Sequence, residues 1–228
     1  MKAPPNQKTA TEPFRAELLS RRWLSNITFE IEMTRPPSFN FHPGQSIRIV
    51  DQKLERDYSL VSDPVSPTLS LCIRNVQEGS LTPLLATAKV GSSISFTGPH
   101  GYFTFRPSNR PPVFIATGTG VAPFVSMVRS GVTGFSLLHG VPVSSELYYE
   151  SLFRTAAKRY VPCLSGLPSE STKPDHAFQG RVTDYLEKKF PPDMFDFYLS
   201  GRIEMVRDVT HLVDERFSGS LVYTEIFY

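Results

Sequence analysis

The chain has 228 residues, of which 40% are hydrophobic and 20% charged, and its formal net charge is +2. Such a composition excludes a disordered chain and is typical of a core-forming protein with one large domain or two small ones. The small positive charge gives no argument for a nucleic-acid partner. The two cysteines, Cys72 and Cys163, form no C-x-x-C pair, which argues against an iron–sulfur cluster or a structural zinc site. We interpret them as buried free thiols, with a disulfide as the alternative.

Residues 1–13 predict a flexible N-terminal tail, because they contain no apolar segment of the kind that a signal peptide needs. No apolar run approaches the roughly 20 residues of a membrane span. We therefore expect a cytoplasmic protein without a membrane partner, and we expect it to be a monomer. Five histidines show no metal-ligand spacing and are interpreted as structural or exposed: His42, His100, His139, His176 and His211.

The first part of the chain, residues 14–108, has the pattern of an antiparallel β-barrel. Its segments are short, and several alternate, such as Ile27, Phe29 and Ile31 against polar neighbours. Many short strands at close spacing predict a small barrel, interrupted by one helical segment, LTPLLATAKV. The predicted strands are FRAELLSRRWL, ITFEIEMT, SIRIV, RDYSLVS, TLSLCIRNV, SISFTG and YFTF.

The segment RPSNRPP, residues 106–112, predicts a linker. The second part of the chain, residues 109–228, has a different pattern of predicted elements. Strand and helix patterns then alternate five times. One helix is expected in SSELYYESLFRTAAKR, with Leu147, Phe153 and Ala157 on its apolar face. The alternation predicts a doubly wound α/β domain around a parallel five-stranded sheet. Ligands of such sheets bind beyond the carboxyl ends of the strands, where the strand order switches.

Two stretches carry candidate chemistry. In RDYSLVS, alternation places Arg56 and Tyr58 on one strand face and Ser59 on the other, and an inward Arg requires a partner. In FIATGTGVAPF, an apolar strand runs into Gly118 and Gly120, and a helix follows. This turn is either a tight structural turn or a phosphate site at a helix start.

Six motifs occur in the order and spacing of one known family: RDYS, GSLT, GPHGYF, GTGVAPF, HGVPVSSELYY and YLSGRIEM. The chain also ends in aromatic residues, EIFY. Over residues 14–228 it resembles the ferredoxin–NADP reductases. The resemblance implies an FAD-binding barrel followed by a domain that binds NADH or NADPH. It also implies hydride transfer between nicotinamide C4 and flavin N5, and then single-electron transfer.

For the barrel, the resemblance implies that Arg56 contacts the flavin phosphates, that Tyr58 packs on the isoalloxazine ring and that Ser59 lies near N5. An Arg fork suits pyrophosphate, and a flat aromatic ring suits a flavin. The alternative for Tyr58 is an ordinary packed strand aromatic. Because Ser59 falls on the opposite face, a strand end or bend is expected there.

Gly79 and Thr82 match the family motif that lies on the FAD pyrophosphate, although Thr82 is also a candidate cap for a short helix. Cys72 and Arg74 fall where the family places a strand along the flavin. The alternative for Arg74 is an exposed barrel side chain.

For the second domain, the resemblance places five residues in the dinucleotide turn: Gly118, Thr119, Gly120, Ala122 and Pro123. Ser200, Gly201 and Met205 match a C-G-x-x-x-M motif in which this chain has Ser instead of Cys. The family's Cys lies beside the nicotinamide, so Ser200 is a candidate catalytic residue. Glu225 matches an acidic residue close to the active site.

The terminal aromatic that shields the flavin is Phe227 by its distance from Glu225, or Tyr228 because it is last. Alternatively, both simply complete the last strand. The position that recognises the ribose 2′-phosphate in plant-type members has Ser165 followed by Gly166 rather than Arg. This difference favours NADH, although Lys173 or Arg181 remain possible sources of positive charge.

No electron carrier is part of this sequence, so the resemblance implies a separate ferredoxin, flavodoxin or oxygenase component. Three interpretations stay open: a stand-alone reductase, the reductase component of an oxygenase, and a non-catalytic electron-transfer subunit. A basic docking surface for an acidic carrier is expected from Arg21, Arg22, Arg48, Lys53 and Arg110.

Overall fold

The computed structural model describes residues 12–52, 54–166 and 176–227. Residues 1–11 of the predicted tail, Lys53, Lys173 and Tyr228 lie outside these ranges. The first sheet and its helix comprise β1 (Phe14–Trp23), β2 (Thr28–Thr34), β3 (Ser46–Asp51), β4 (Leu54–Ser59), β5 (Thr68–Arg74), α1 (Thr82–Thr87) and β6 (Ser93–His100).

The first sheet is antiparallel throughout, in the order β4-β3-β6-β1-β2-β5. Its two outer strands meet where a bridge joins Leu60, just beyond β4, to Leu71 of β5, and this contact closes the barrel. On β2, Phe29, Ile31 and Met33 are fully buried in the barrel core. The alternation in ITFEIEMT therefore follows the pleat, and the predicted antiparallel barrel is confirmed.

The predicted strand YFTF does not form, since residues 101–107 have no regular structure. Gly101, at φ +87°, turns the chain away from β6. The ring of Phe103 then packs against Tyr198, and that of Phe105 packs against Phe114. The alternating aromatic side chains of this segment therefore pack in the core of the second domain.

The second sheet and its helices comprise β7 (Pro112–Thr117), α2 (Ala122–Arg129), β8 (Ser136–Val141), α3 (Glu150–Ala156), β9 (Arg159–Leu164), β10 (Phe178–Gln179), α4 (Val182–Lys188), β11 (Asp196–Arg202), α5 (Ile203–Arg216) and β12 (Leu221–Phe227). All pairs are parallel, in the order β10-β9-β8-β7-β11-β12. Helices α2 and α3 pack on one face, and α4 and α5 on the other. The doubly wound α/β fold is confirmed.

Two details of this domain differ from the prediction. The sheet has six strands rather than five, because a two-residue strand, β10, pairs with β9. Helix α3 begins only at Glu150. A 3₁₀ turn at Ser144–Glu146 and a left-handed Tyr149, at φ +57°, occupy the first part of the predicted helix.

The strand order switches between β7 and β11, which are neighbours although three strands separate them in sequence. The linker before β7 is fixed in place. Arg110 Nε lies 2.6 Å from the buried Asp196 Oδ1, and the Ser108 hydroxyl donates to Asp196 Oδ2 at 2.5 Å. We keep the domain boundary at residues 108/109 as a proposal.

Cys72 and Cys163 are buried free thiols, as expected. None of the five helices in the described residues has the length and apolar character needed to cross a membrane.

Candidate functional site

A cleft of about 1200 Å³ lies between the barrel and the second sheet. Its barrel wall consists of β4, β5 and the segment that leads into α1. Its other wall consists of the carboxyl ends of β7, β8, β9, β11 and β12. Fourteen of the predicted site residues line it: Arg56, Tyr58, Ser59, Cys72, Arg74, Gly79, Thr82, Gly118, Thr119, Ala122, Ser165, Gly201, Met205 and Phe227.

Strand β4 presents Arg56 to the cleft with an exposed side chain. Arg56 forms no ion pair among the described residues, whereas Arg48 on the adjacent β3 pairs with Asp57 at 2.7 Å and Glu55 at 3.7 Å. Tyr58 is half-buried against the barrel core, and this burial raises the pKa of its hydroxyl to about 12. The stretch therefore combines a cation available to a ligand with a neutral aromatic ring.

Ser59 is the last residue of β4, so the expected strand end does lie at this position. Its hydroxyl is buried and donates to Glu225 Oε2 at 3.2 Å. Burial raises the pKa of Glu225 to about 7; the hydrogen bond from Ser59 opposes this shift, and the charge of Asp57 adds to it. This contact joins the barrel to β12, and it places Glu225 next to Ser59, which lines the cleft, although Glu225 itself does not line it.

The segment before α1 is held by Thr82. Its hydroxyl accepts the Val76 N–H at 3.0 Å and donates to the Val76 carbonyl at 3.1 Å. Thr82 is thus not the helix cap that the alternative interpretation required; Leu81 holds that position, without a side-chain cap. A Cβ on Gly79 would lie 3.0 Å from the Val76 carbonyl oxygen, so this tight turn favours glycine.

Cys72 and Arg74 lie two residues apart on β5, but their surroundings differ. Burial raises the pKa of the Cys72 thiol to about 12, which keeps it protonated at neutral pH. Arg74 is exposed in the cleft, and its guanidinium lies 3.7 Å from the buried carboxylate of Glu146 in the second domain. Arg74 therefore connects the two walls of the cleft.

The glycines after β7 have different roles. Gly118 adopts φ +53°, and a Cβ there would meet no atom within 4 Å, so the backbone faces open space in the cleft. Gly120 is buried, and a Cβ there would lie 2.3 Å from the Ser200 carbonyl oxygen. Gly120 thus packs the end of β7 against β11. It does not line the cleft, and neither does the buried Pro123 at the start of α2.

Ser200 also lies behind the cleft wall. It is fully buried between Ala116 and Glu225, its partners on the neighbouring strands. Its hydroxyl has no hydrogen-bond partner within the described ranges. An adjacent residue that the sequence analysis did not single out, Arg202, is exposed in the cleft, and its N–H donates to the Thr117 hydroxyl at 3.2 Å. Its only sequence signal was a basic residue directly after SG.

The described members of the expected basic docking surface all have hydrogen-bond or ionic partners, and three of them are paired with carboxylates. Arg21 donates to the carbonyls of Leu85 and Ala88. Arg22 pairs with Glu30 at 3.4 Å, Arg48 with Asp57 at 2.7 Å, and Arg110 with Asp196 at 2.6 Å.

Two family models match the chain. Residues 19–105 match the oxidoreductase FAD-binding domain, and residues 114–211 match the oxidoreductase NAD-binding domain. Together with the two-domain fold, they define an oxidoreductase that binds FAD and a pyridine nucleotide. The chain belongs to the ferredoxin–NAD(P)⁺ reductase-type family, as the motifs suggested.

Curated relatives agree with this assignment. The toluate 1,2-dioxygenase electron transfer component of Pseudomonas putida is 30% identical over 225 residues, which cover 90% of this chain and 65% of that protein. The ferredoxin–NADP reductase B of Sorangium cellulosum is 35% identical over 136 residues, 56% of each chain. The chain thus spans less than two thirds of either relative.

A solved structure confirms the fold. The ferredoxin NADP⁺ reductase of Neisseria gonorrhoeae, with bound FAD and NADP, superposes with a TM-score of 0.81 at 23% identity. The superposition covers 96% of this chain and all of that one.

Proposed function

We propose that the protein is an FAD-dependent reductase that passes electrons between NAD(P)H and a separate one-electron carrier. The observation that carries this proposal is the single cleft shared by RDYS and the turn after β7. Its volume of about 1200 Å³ exceeds the roughly 300–1,000 Å³ of pockets for one drug-sized ligand, as expected for a site that takes ligands larger than a drug-sized molecule.

The residues present fit these cofactors. An Arg56 without an ionic partner among the described residues suits a pyrophosphate, and the half-buried ring of Tyr58 suits one face of a flavin. Gly118 leaves room for a second dinucleotide to approach the backbone. The bound cofactors would supply the redox chemistry, which is hydride transfer followed by single-electron transfer.

The remaining roles follow from contacts between the two walls. The Ser59 hydroxyl donates to the Glu225 carboxyl, and the two form one hydrogen-bonded unit. The carboxyl is about half protonated near neutral pH because its pKa is about 7. We propose that this unit controls a proton beside the flavin. Ser200 packs against it, and Phe227 at the cleft wall or Tyr228 covers the flavin ring.

For the carrier, we propose a ferredoxin, a flavodoxin or an oxygenase component. Two cysteines are too few for a four-cysteine iron–sulfur cluster in this chain. The relative from Pseudomonas putida is named as a dioxygenase electron transfer component, which supports the oxygenase component as the second candidate.

For the nucleotide, we propose NADH. Ser165 is followed by Gly166, and the exposed Arg181 and Arg202 share the cleft with Glu204, which offsets part of their positive charge. The ratio of kcat/KM for the two nucleotides tests this point: a ratio that favours NADPH contradicts it, and Arg181→Ala would then identify the source of the preference.

The function itself is tested by loading the purified protein with FAD and adding NADH or NADPH without oxygen. Failure to bind FAD contradicts the proposal. Bound FAD that neither nucleotide reduces indicates the non-catalytic subunit. Reduction that ferredoxin, flavodoxin or an oxygenase component then reverses supports a reductase and ranks the carriers. Cell fractionation tests the cytoplasmic location, which we include in the proposal.

A further inference from the structure

His139 is a fully buried polar residue in the core of the second domain. It lies on β8 and is the direct neighbour of Ala116 on β7, two residues before Gly118. The rings of Phe153 and Tyr160 pack around its imidazole, at centroid distances of 6.4 and 6.3 Å. A histidine in an apolar setting of this kind requires hydrogen-bond partners for both ring nitrogens.

Within the part of the chain that the structure describes, one of the two nitrogens has a partner and the other has none. Nδ1 lies 3.1 Å from the hydroxyl oxygen of Tyr160, whereas Nε2 has no hydrogen-bond partner among the described residues. Burial lowers the pKa of the imidazole to about 4, so the ring is neutral at pH 7 and carries one proton. When the Tyr160 hydroxyl donates to Nδ1, that proton is on Nε2, and Nε2 is a donor.

The turn that begins at Gly118 packs against β8, the strand that carries His139. The Gly118 backbone opposes the lowering of the His139 pKa, which agrees with a position near the imidazole. Gly118 is also the residue whose backbone faces open space in the cleft. The turn thus lies between the cleft and a buried imidazole whose Nε2 has no hydrogen-bond partner among the described residues.

We propose that His139 is a positioning residue for the dinucleotide turn, and that its Nε2–H donates to the Gly118 carbonyl when a nicotinamide dinucleotide binds. By donating to Nδ1, the Tyr160 hydroxyl fixes the tautomer that carries its proton on Nε2. Binding then satisfies a donor that is otherwise unpaired in the core, and this gain favours the bound turn. The inference rests on the proposed function, because it assigns the second cofactor to this turn.

The test compares His139→Phe with wild type, both loaded with FAD. Phe retains a ring between Phe153 and Tyr160 and removes both nitrogens. We expect the Kd for the oxidised dinucleotide, measured by the change in flavin absorbance, to rise roughly tenfold through loss of one hydrogen bond. FAD content and the limiting rate of flavin reduction at saturating nucleotide should stay within about twofold of wild type.

Two further variants separate positioning from packing. His139→Gln retains an amide donor at the ε position and should recover most of the affinity. Phe153→Leu disturbs the same cluster without removing a polar atom, and should lower thermal stability but leave the Kd unchanged. Equal loss of affinity in Phe153→Leu and His139→Phe, or an unchanged Kd in His139→Phe, would overturn the inference. Flavin reduction by nucleotide in wild type tests the proposed function independently.

Discussion

Arg56 and Arg48 lie on adjacent strands, but only Arg48 has anionic partners among the described residues. We predict that Arg56→Ala raises the Kd for FAD roughly 10- to 100-fold, because a charge-assisted hydrogen bond contributes about 1.5–3 kcal/mol. The Kd of Arg56→Lys should lie between those of wild type and Arg56→Ala, since Lys retains the charge but loses the bidentate fork. Flavin fluorescence during titration measures the effect.

Arg15, which is exposed on β1 away from the cleft, provides the matched control. Arg15→Ala should retain the wild-type Kd for FAD. Equal weakening in both variants would mean that overall charge, rather than a contact of Arg56, attracts the cofactor.

Glu225 offers a pH test. Its folded-state pKa, about 7, lies above its ordinary value, so its contribution to stability is fully present below about pH 4.5 and is lost as the pH rises through 7. We predict that wild type loses on the order of 2 kcal/mol more than Glu225→Gln between pH 5 and 8. Urea denaturation at several pH values measures the difference.

The contribution of His139 to stability depends on pH in the opposite direction. Its pKa is lowered to about 4, so its contribution is present above about pH 6.5 and is lost as the pH falls towards 4. The comparison of Glu225→Gln with wild type at each pH removes this effect. Parallel stability profiles for the two proteins would show that Glu225 does not titrate in this range.

At the scale of single residues, sequence reasoning located the site but did not establish the role of every residue in it. RDYS was identifiable because an inward-facing Arg in a strand requires a partner, and GTGVAPF because glycines between an apolar strand and a helix allow a tight turn. The distinction between Gly118 and Gly120 was not available, because it depends on the close packing of Gly120 against β11, where an added Cβ would lie 2.3 Å from the Ser200 carbonyl oxygen. The unpaired nitrogen of His139 depends in the same way on long-range packing.

At the scale of elements, the most specialised feature of the second domain is the turn between β7 and α2. We predict that Gly118→Ala costs about 1 kcal/mol of stability, because φ +53° strains a residue with a Cβ. The same variant should weaken binding of the dinucleotide, since the new methyl group enters the space that the turn leaves open. Denaturation and a dinucleotide titration measure the two effects.

Gly131 is a useful control because it also has positive φ, at +102°, and open space around a Cβ, but it lies outside the cleft. Gly131→Ala should lower stability by a similar amount and leave dinucleotide affinity unchanged. A similar loss of affinity in both variants would show that general destabilisation, rather than the shape of the turn, is responsible.

The strands of the barrel and the strand–helix alternation could be predicted because they follow local periodicity. Three elements could not. The two residues of β10 are too few to show a period, and the start of α3 depends on the left-handed Tyr149. The alternating aromatic side chains of YFTF pack against the second domain rather than within the barrel. In each case tertiary contacts decide the local structure.

At the scale of the whole molecule, side chains of the second domain hold the barrel in place. The Tyr149 hydroxyl donates to Glu30 Oε2 of β2 at 2.6 Å, and Arg129 of α2 donates to the Val61 carbonyl at 2.7 Å. The Ser126 hydroxyl donates to the buried Ser62 carbonyl, also at 2.7 Å. These bonds join the barrel to the second domain.

We predict that Tyr149→Phe lowers stability by about 2 kcal/mol, because Glu30 loses a short charge-assisted hydrogen bond. Tyr185, whose hydroxyl makes no hydrogen bond within the described ranges, provides the control: Tyr185→Phe should change stability by less than about 0.5 kcal/mol. Denaturation measures both. Equal, small changes would mean that the contact between the domains depends on apolar packing alone.

The central claim is that one cleft brings both cofactors together, and rapid mixing of the FAD-loaded protein with NADH in the absence of oxygen tests it most directly. We predict a transient long-wavelength charge-transfer absorbance, from a nicotinamide stacked on the flavin, followed by loss of the flavin absorbance at a rate that saturates with NADH. Flavin that keeps its absorbance, or loses it without saturation and without the transient, would contradict a shared site.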